Sequence, residues 1–328
     1  ISLFLVPKYL VNDDGSLGAR NDLHCHSLEH KLGIHGSPTC TMIYGDGKYG
    51  EEAGAIGYLI GEENKGLACM FTMMNNARLA VGMQGVAICE AATQKAVQYA
   101  KDRTQGKAPG WTGSGMSPII EHPDVARMLV TMKALTQGSR AICYVCAHAT
   151  DMSHHADGDE ARHWAERAAL LTPIAKSFAT DAGVDVASLG IQTHGGMGFI
   201  EETGAARYWR DSRIAPIYEG TNGIQAADLV TRKLPLSNGN HIRGYITELK
   251  QVVNAVRASN LEGFGDTAAR LDASLSDLED TTEWLLSQLA AGNASAALAG
   301  ARPCHTLCGD QSRTPGATGA TRPAGGPG

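Results

Sequence analysis

The sequence has no excess of basic residues. Its 328 residues include 28 Lys and Arg against 34 Asp and Glu, and the formal net charge is −6. A protein that binds the nucleic-acid backbone needs a basic patch or stripe to neutralise phosphates. We therefore expect no nucleic-acid partner.

Long apolar runs and a secretory leader are also missing. The apolar stretches are interrupted well short of the roughly 20 residues that a membrane-spanning helix requires, and no basic segment precedes an apolar one at the N-terminus. The eight cysteines are scattered through a chain much longer than a disulfide-stapled module. We expect reduced thiols, a cytoplasmic location and no membrane span.

Metal-ligand spacings are scarce as well. Cys143 and Cys146 form a Cys-x-x-Cys pair within a helical pattern, but no second pair lies nearby at zinc spacing. The runs His24–His26 and His154–His155 lie in turn-like contexts without matching carboxylates or cysteines. We interpret the two cysteines as core thiols and the histidines as surface or loop residues, and we expect no metal site.

The spacing of apolar residues divides the chain into two parts. Residues 1–61 indicate short strands joined by turns, with strand candidates at Ser2–Val6 and Gly54–Ile60 and a turn cluster at Asn12–Gly15. From Gly66 the period becomes helical. The expected helices are Gly66–Arg103, one that starts at His122–Asp124, Glu160–Ala182 with a kink at Pro173, one from Asn222 to just before Pro235, Ile242–Ala258 and Thr267–Ala291.

These patterns predict a mainly α fold, with a four-helix bundle preceded by a partial antiparallel β-domain and followed by extra helices. The first residue is Ile, and a strand begins there with no lead-in, so we expect the N-terminus to be a cut edge. Residues 300–328 are rich in Pro, Gly, Thr and Arg. We expect disorder in this tail and suspect a frame change or junction near Ala301.

The most informative stretch runs from Gln192 to Gln225. Its glycines Gly195, Gly196 and Gly198 would let backbone N–H groups approach an anion closely. Glu219 follows an apolar pair and is a plausible general base beside such an anion cradle. Each feature taken alone has a plainer interpretation, because a Glu before a helix is usually solvated and a Gly-Gly pair is usually only a turn.

The order of motifs in this stretch resembles a known C-terminal signature. Gln192-x-x-Gly-Gly-x-Gly198 is followed by Arg210-Asp211 and then by Ile217-Tyr-Glu-Gly-Thr221, as in the acyl-CoA dehydrogenase family of flavoenzymes. Phe71–Ala80 and Tyr99–Lys107 resemble the start and end of the helix that opens the family's bundle. The second motif departs from the family pattern, since the phenylalanine usually found before its glycine is absent. The extra C-terminal helices resemble the larger bacterial members.

The resemblance implies α,β-dehydrogenation of an acyl-CoA thioester with FAD as cofactor. It assigns Glu219 as the base that removes the α-proton, while the β-hydride goes to flavin N5. It also implies electron-transfer flavoprotein as electron acceptor and assembly into a homodimer or homotetramer. The implied substrate contacts are Arg78 and Gly220. The implied FAD contacts are Arg103, Gln105, Gln192, Gly195, Gly196, Gly198, Thr221 and Gln225, of which Arg103 would reach the flavin of a neighbouring subunit.

On this resemblance the domains are 1–61, the C-terminal remnant of the middle β-domain; 62–235, the helical bundle with the catalytic loop; 236–299, a helical extension; and 300–328, the tail. Two other functions stay open. An acyl-CoA oxidase shares the desaturation but passes electrons to oxygen, and no residue separates it from a dehydrogenase. A non-catalytic oligomerising helical module is the second alternative.

Overall fold

The protein is described by a computed structural model that covers residues 1–49, 53–259 and 261–300. The predicted disordered tail lies outside the described residues from Ala301 onward. Strands and helices follow in the order that the sequence predicts, and the mainly α fold is confirmed. The strands are β1 Leu3–Leu5, β2 Tyr9–Val11, β3 Leu17–Arg20, β4 Leu23–Leu28, β5 Cys40–Tyr44 and β6 Tyr58–Ile60. The α-helices are α1 Gly66–Asp102, α2 Pro123–His155, α3 Gly158–His194, α4 Ala205–Ser212, α5 Asn222–Asp228, α6 Asn240–Ser259, α7 Thr267–Ala290 and α8 Ala294–Gly300.

The chain divides into two compact units, Ile1–Leu229 and the residues from Val230 onward. The first contains the strands and α1 to α5. The second contains α6 to α8. The four domain limits expected from the sequence remain predictions.

The strands form three antiparallel pairs, β1 with β6, β2 with β3 and β4 with β5. The two strand candidates seen in the sequence pair with each other, with Leu3 opposite Ile60. His24–His26 do not lie in a turn as predicted: they belong to β4, where His24 is buried and His26 is exposed. Pairing with β5 decides their conformation, and this pairing cannot be inferred from local turn propensity. His154 and His155 are exposed as predicted, although they lie at the end of α2 and not in a turn.

The carboxylate of Asp22 stabilises the loop after β5. Its carboxylate accepts hydrogen bonds from the backbone N–H groups of Gly47 at 2.6 Å and Tyr49 at 3.0 Å. These bonds favour the ionised form and lower the pKa of Asp22.

Helices α1, α2 and α3 pack together along their length and bury small and medium apolar side chains. The close approach of α1 and α3 depends on glycine: a Cβ added to Gly85 would lie 2.2 Å from the carbonyl oxygen of Ala179. Cys143 and Cys146 lie wholly buried in α2, so their interpretation as core thiols is confirmed. Burial raises the pKa of Cys143 to about 12. The main apolar cluster comprises Cys89, Ala92, Ala96, Ala100, Ile119, Leu129, Met132, Ala182 and Val186.

Helix α3 is longer than the sequence pattern predicts. It continues past Ala182 to His194, although Gly183 and Gly190 lie within that extension. A Cβ on Gly183 would meet the backbone of Gly85 at 3.3 Å, so packing against α1 outweighs the low helix propensity of glycine here. Pro173 lies buried inside the continuous helix, and the kink expected there stays a prediction.

The fourth expected helix begins at Asn222, as the sequence predicts. It is α-helical to Asp228 and then π-helical from Leu229 to Lys233. The short helix α4 was not expected. Asp211, within α4, accepts a hydrogen bond from the backbone N–H of Ile34 at 2.7 Å, which ties the α4 segment to the strand region.

In the second unit, α6 and α7 confirm the two helices expected after the bundle. Arg243 of α6 forms a two-pronged ion pair with Glu283 of α7, with N–O distances of 2.6 and 2.7 Å. Ile246, Val253 and Leu285 are buried on these helices. No described helix is both long and apolar enough to cross a bilayer.

Candidate active site

The Gly-Gly-x-Gly run forms the end of α3 and the turn after it. Gly195 has φ 58° and ψ −139°, a conformation that side chains disfavour. A Cβ on Gly196 would meet nothing within 4 Å, whereas one on Gly198 would lie 2.3 Å from the carbonyl oxygen of Ile191. Gly196 therefore faces open space, and Gly198 is required by close packing on α3.

A cavity of about 820 Å³ opens beside this turn. It brings together five residues that the family resemblance assigns to the cofactor: Arg103, Gln105, Gln192, Gly195 and Gly196. Gly198 is not among the residues that line it. The cavity thus joins the end of α1 to the end of α3, which are about 90 positions apart in the sequence.

The segment after α1 that carries Arg103 and Gln105 is fixed by short antiparallel pairing. The N–H of Gln105 donates to the carbonyl of Ser117 at 3.0 Å, and the N–H of Ile119 donates to the carbonyl of Arg103 at 2.8 Å. His122, which also lines the cavity, contacts the Gln105 carbonyl through Nε2 at 2.9 Å. Arg103 is exposed and therefore free to meet an anion.

His194 is a buried part of the cavity wall that the sequence reasoning did not single out. Its Nδ1 lies 2.7 Å from the carbonyl of Gly190, so Nδ1 carries the proton and donates it. Its ring stacks on Tyr99 with centroids 4.3 Å apart. Burial lowers the pKa of His194, so the ring is neutral at pH 7 and Nε2 is an acceptor.

Glu219 lies in a second, separate group of site residues, on the turn that precedes α5. It adopts φ 53°, a left-handed conformation that is uncommon for a residue with a side chain, and Gly220 follows with φ 84°. Its side chain is half-buried. A residue held in a disfavoured conformation needs support from its surroundings.

Two buried side chains that hydrogen-bond the backbone of the turn provide that support. The amide nitrogen of Gln225 donates to the carbonyls of Glu219 at 3.3 Å and Gly220 at 3.2 Å. The ammonium of Lys176 in α3 donates to the Gly220 carbonyl at 2.9 Å and to Oδ1 of Asn222 at 2.8 Å. Gln225 and Lys176 are both wholly buried.

Asn222 links the turn to α3. Its side-chain nitrogen donates to Oδ1 of Asp181 at 2.8 Å and to Oγ1 of Thr180 at 3.1 Å. Its backbone N–H donates to the carbonyl of Pro216 at 3.0 Å. One buried amide therefore ties both sides of the turn to the bundle.

Three residues assigned from the family resemblance have defined structural contacts in this group. Arg78 of α1 forms a buried ion pair with Asp228 of α5, with an N–O distance of 3.2 Å and side-chain exposures of 9% and 3%. Oγ1 of Thr221 accepts the N–H of Ile224 at 3.2 Å and so caps α5. The side chain of Gln225 donates hydrogen bonds to two backbone carbonyls of the turn. Their assignment to substrate or FAD remains a proposal.

Lys176 and Asn222 were missed by the sequence reasoning. The available signal for Lys176 is its setting, because it is the one charged residue in the otherwise uncharged segment from Ala168 to Thr180. A charged side chain within such a segment is rarely buried unless something pairs with it. Asn222 resembles an ordinary residue of a helix start, so its sequence context carries no comparable signal.

Comparison with known proteins shows the family of the chain. The model of the acyl-CoA dehydrogenase C-terminal domain matches residues 64–234, which is just over half of the chain. The chain belongs to the acyl-CoA dehydrogenase family. The resemblance read from the motifs is confirmed.

Two curated relatives of this acyl-CoA dehydrogenase chain are similar over most of its length. 3-Methylmercaptopropionyl-CoA dehydrogenase of Ruegeria pomeroyi is 50% identical over 246 residues, covering 75% of this chain and 40% of the relative. A butyryl-CoA dehydrogenase of Syntrophomonas wolfei is 37% identical over 255 residues, covering 76% and 41%. The chain therefore spans about 40% of the length of these relatives.

The fold also matches a solved structure, that of Caenorhabditis elegans ACDH-11 in complex with C11-CoA. The TM-score is 0.72 at 23% identity, over 92% of this chain and 46% of that chain. At this identity the match shows the shared fold.

The cavity residues have the chemistry to hold an anionic group such as a phosphate of a dinucleotide. Arg103 supplies an exposed cation, the end of α3 supplies a glycine turn, and the space above Gly196 is open to a ligand. Phosphate groups are commonly bound by such combinations of backbone N–H groups and arginine.

Proposed function

We propose that this acyl-CoA dehydrogenase chain serves FAD-dependent α,β-dehydrogenation of an acyl-CoA thioester, with Glu219 as the base that removes the α-proton. The observation that carries the proposal is the turn at Glu219. Glu219 has a left-handed backbone, and the carbonyls of Glu219 and Gly220 accept three hydrogen bonds from buried side chains, two from Gln225 and one from Lys176. Such strain concentrates where a side chain must be presented in one orientation.

The α-proton of a thioester is weakly acidic, so its removal requires a base held within hydrogen-bond reach and donors placed where enolate charge develops. Glu219 supplies the carboxylate. In this proposal the backbone N–H of Glu219 faces the thioester carbonyl, as the family resemblance implies. FAD, when bound, supplies the acceptor for the β-hydride.

The cavity beside the Gly195–Gly196 turn would hold the FAD pyrophosphate. Arg103 would pair with phosphate oxygens, and Gln105 and Gln192 would donate from either side. Neutral His194 supports the wall through its bond to Gly190 and its stacking on Tyr99. Gly198 would act indirectly, by allowing the turn to pack closely on α3.

The remaining parts of the proposal concern partners and location. Reduced flavin must pass its electrons on, and we assign that role to electron-transfer flavoprotein. A homodimer or homotetramer in the cytoplasm completes the proposal. Since Arg103 is assigned to the flavin dinucleotide of a neighbouring subunit, the pyrophosphate at this cavity would be that of the neighbour's FAD. Arg78 and Gly220 are proposed to line the acyl-CoA side of Glu219.

The test uses a chimera in which this chain replaces the matching C-terminal part of the Ruegeria pomeroyi relative. We expect stoichiometric FAD and bleaching of the flavin by 3-methylmercaptopropionyl-CoA or butyryl-CoA. Glu219→Gln should keep the flavin and slow its reduction by at least a hundredfold, because the amide keeps the shape but cannot accept the proton. A loss below tenfold would place the base elsewhere. Release of hydrogen peroxide at the rate of turnover would show an oxidase instead.

A further inference from the structure

Lys176 is the largest of the wholly buried side chains in the described part of the chain. Its two acceptors, the Gly220 carbonyl and Oδ1 of Asn222, are both neutral. Burying an ammonium is unfavourable even when it is hydrogen bonded. The hydrogen bonds that Lys176 makes to the turn and to Asn222 must offset this cost.

The charges that face Lys176 come from three elements. Asp181 on α3 and Glu219 on the turn raise its pKa, and Arg78 on α1 lowers it. Burial is the largest effect, and the pKa of Lys176 falls to about 8. The ammonium is therefore mostly charged at pH 7 and mostly neutral above pH 9.

The bonds of Lys176 and Gln225 set the direction of two peptide groups. The carbonyls of Glu219 and Gly220 both point into the bundle toward these buried donors. In a trans peptide the N–H points opposite to the carbonyl, so the N–H groups of Gly220 and Thr221 point away from the bundle core.

We propose that Lys176 is a positioning residue for Glu219, and that its buried ammonium, seated between the Gly220 carbonyl and Asn222, holds the turn that presents the Glu219 carboxylate. The proposal rests on the proposed function of Glu219 as base. Lys176 does not touch the substrate. It acts through the turn, and the electrostatic attraction between its ammonium and the Glu219 carboxylate works in the same direction.

The first test needs no activity. Hydrogen exchange of residues 218–225 is compared at pH 7 in the wild-type chain, in Lys176→Met and in Lys133→Met, which changes an exposed lysine of α2. Methionine fills a similar volume but donates no hydrogen bond. We expect exchange in this segment to be at least tenfold faster in Lys176→Met, because two hydrogen bonds from a charged donor are lost. Lys133→Met should match the wild type.

The main comparison of the second test uses the wild-type protein at several pH values, so it does not depend on the folding of a variant. Local opening of the turn breaks its bond to Lys176 while α3 stays folded around the lysine. The protection factor of residues 218–225 against this local opening, corrected for intrinsic exchange, should fall about threefold or more between pH 7 and pH 9.5, because a neutral amine donates a weaker hydrogen bond than an ammonium. In Glu219→Gln the fall should begin at lower pH, since the carboxylate no longer raises the pKa of Lys176. A lysine that only fills space in the core would leave the protection factor of residues 218–225 independent of its charge.

The third test measures turnover in the chimera. Lys176→Met should lower kcat at least tenfold, with flavin content unchanged and KM within threefold, since a positioning residue acts on the base and not on ligand binding. If Glu219→Gln is inactive but Lys176→Met keeps kcat within twofold, the positioning role is overturned and the proposed function stands. If Glu219→Gln stays active, the proposed function fails. If hydrogen exchange of residues 218–225 is also unchanged in Lys176→Met, Lys176 does not stabilise the turn.

Discussion

Replacing Gly85 by alanine tests how closely α1 and α3 approach beneath the candidate site. The new Cβ would lie 2.2 Å from the carbonyl oxygen of Ala179, and ordinary contacts begin at 3.4 Å. The difference is 1.2 Å, so the helices must separate by about 1 Å. The obstacle is backbone, which cannot rotate away as a side chain can.

The cost follows from two opposing effects. Overpacking of this kind costs about 1–3 kcal/mol, and we expect the upper part of that range because a main-chain carbonyl is involved. Alanine recovers about 1 kcal/mol of helix propensity relative to glycine. The free energy of unfolding should therefore fall by about 2 kcal/mol.

Gly138→Ala in α2 is the matched control. Its Cβ would lie 3.7 Å from the ring of Phe178, an ordinary contact, so this variant should gain about 0.4–1 kcal/mol from the less flexible unfolded chain. The two glycine variants should thus differ by about 3 kcal/mol in opposite directions from the wild type.

Urea unfolding followed by circular dichroism measures both variants. Gly85 also lies two turns from Arg78 on the same face of α1. Separation of the helices should therefore weaken the Arg78–Asp228 pair. If Gly85→Ala is as stable as the wild type, α1 and α3 do not cross as closely as described and the reasoning is refuted.

Three further outcomes are expected. Gly196→Val should lower FAD occupancy of the chimera without lowering the unfolding midpoint, since the new side chain meets only the open cavity; normal flavin content would argue against the cavity as the pyrophosphate site. Between pH 8 and 10.5 Lys176 is neutral in the folded protein but charged in the unfolded chain. The free energy of unfolding of the wild type should therefore rise, relative to that of Lys176→Met, by up to about 3 kcal/mol over that interval. Urea unfolding with the same pH dependence in both proteins would contradict this. The pKa of Asp22 is lowered in the fold, so its stabilisation is complete above its ordinary value of 3.8 and is lost as the pH falls through the folded value; Asp22→Asn should be less stable at pH 7 and approach the wild type near pH 2, as acid titration by circular dichroism would show.

The sequence alone predicted the long helices and the positions of the signature residues, although it did not predict the short helix α4. Apolar period is a local property, so the limits of α1, α6 and α7 and the start of α2 were predicted nearly correctly. The motif order from Gln192 to Thr221 identified the family because its chemistry depends on a few residue types at set spacings. Residues whose conformation depends on distant partners were predicted poorly, as the burial of His24 in β4 and the extension of α3 through Gly183 show.

Only the tertiary structure decided how those residues are shared between two groups. Arg103 and Gly196 meet at one cavity because α1 and α3 end at the same place in the bundle, a fact that spacing along the chain does not contain. The turn at Glu219 is held by Lys176 and Gln225, one from α3 and one from α5. An isolated lysine in a helix is usually solvated; it becomes a buried hydrogen-bond donor here because the fold removes it from water and places neutral acceptors around it.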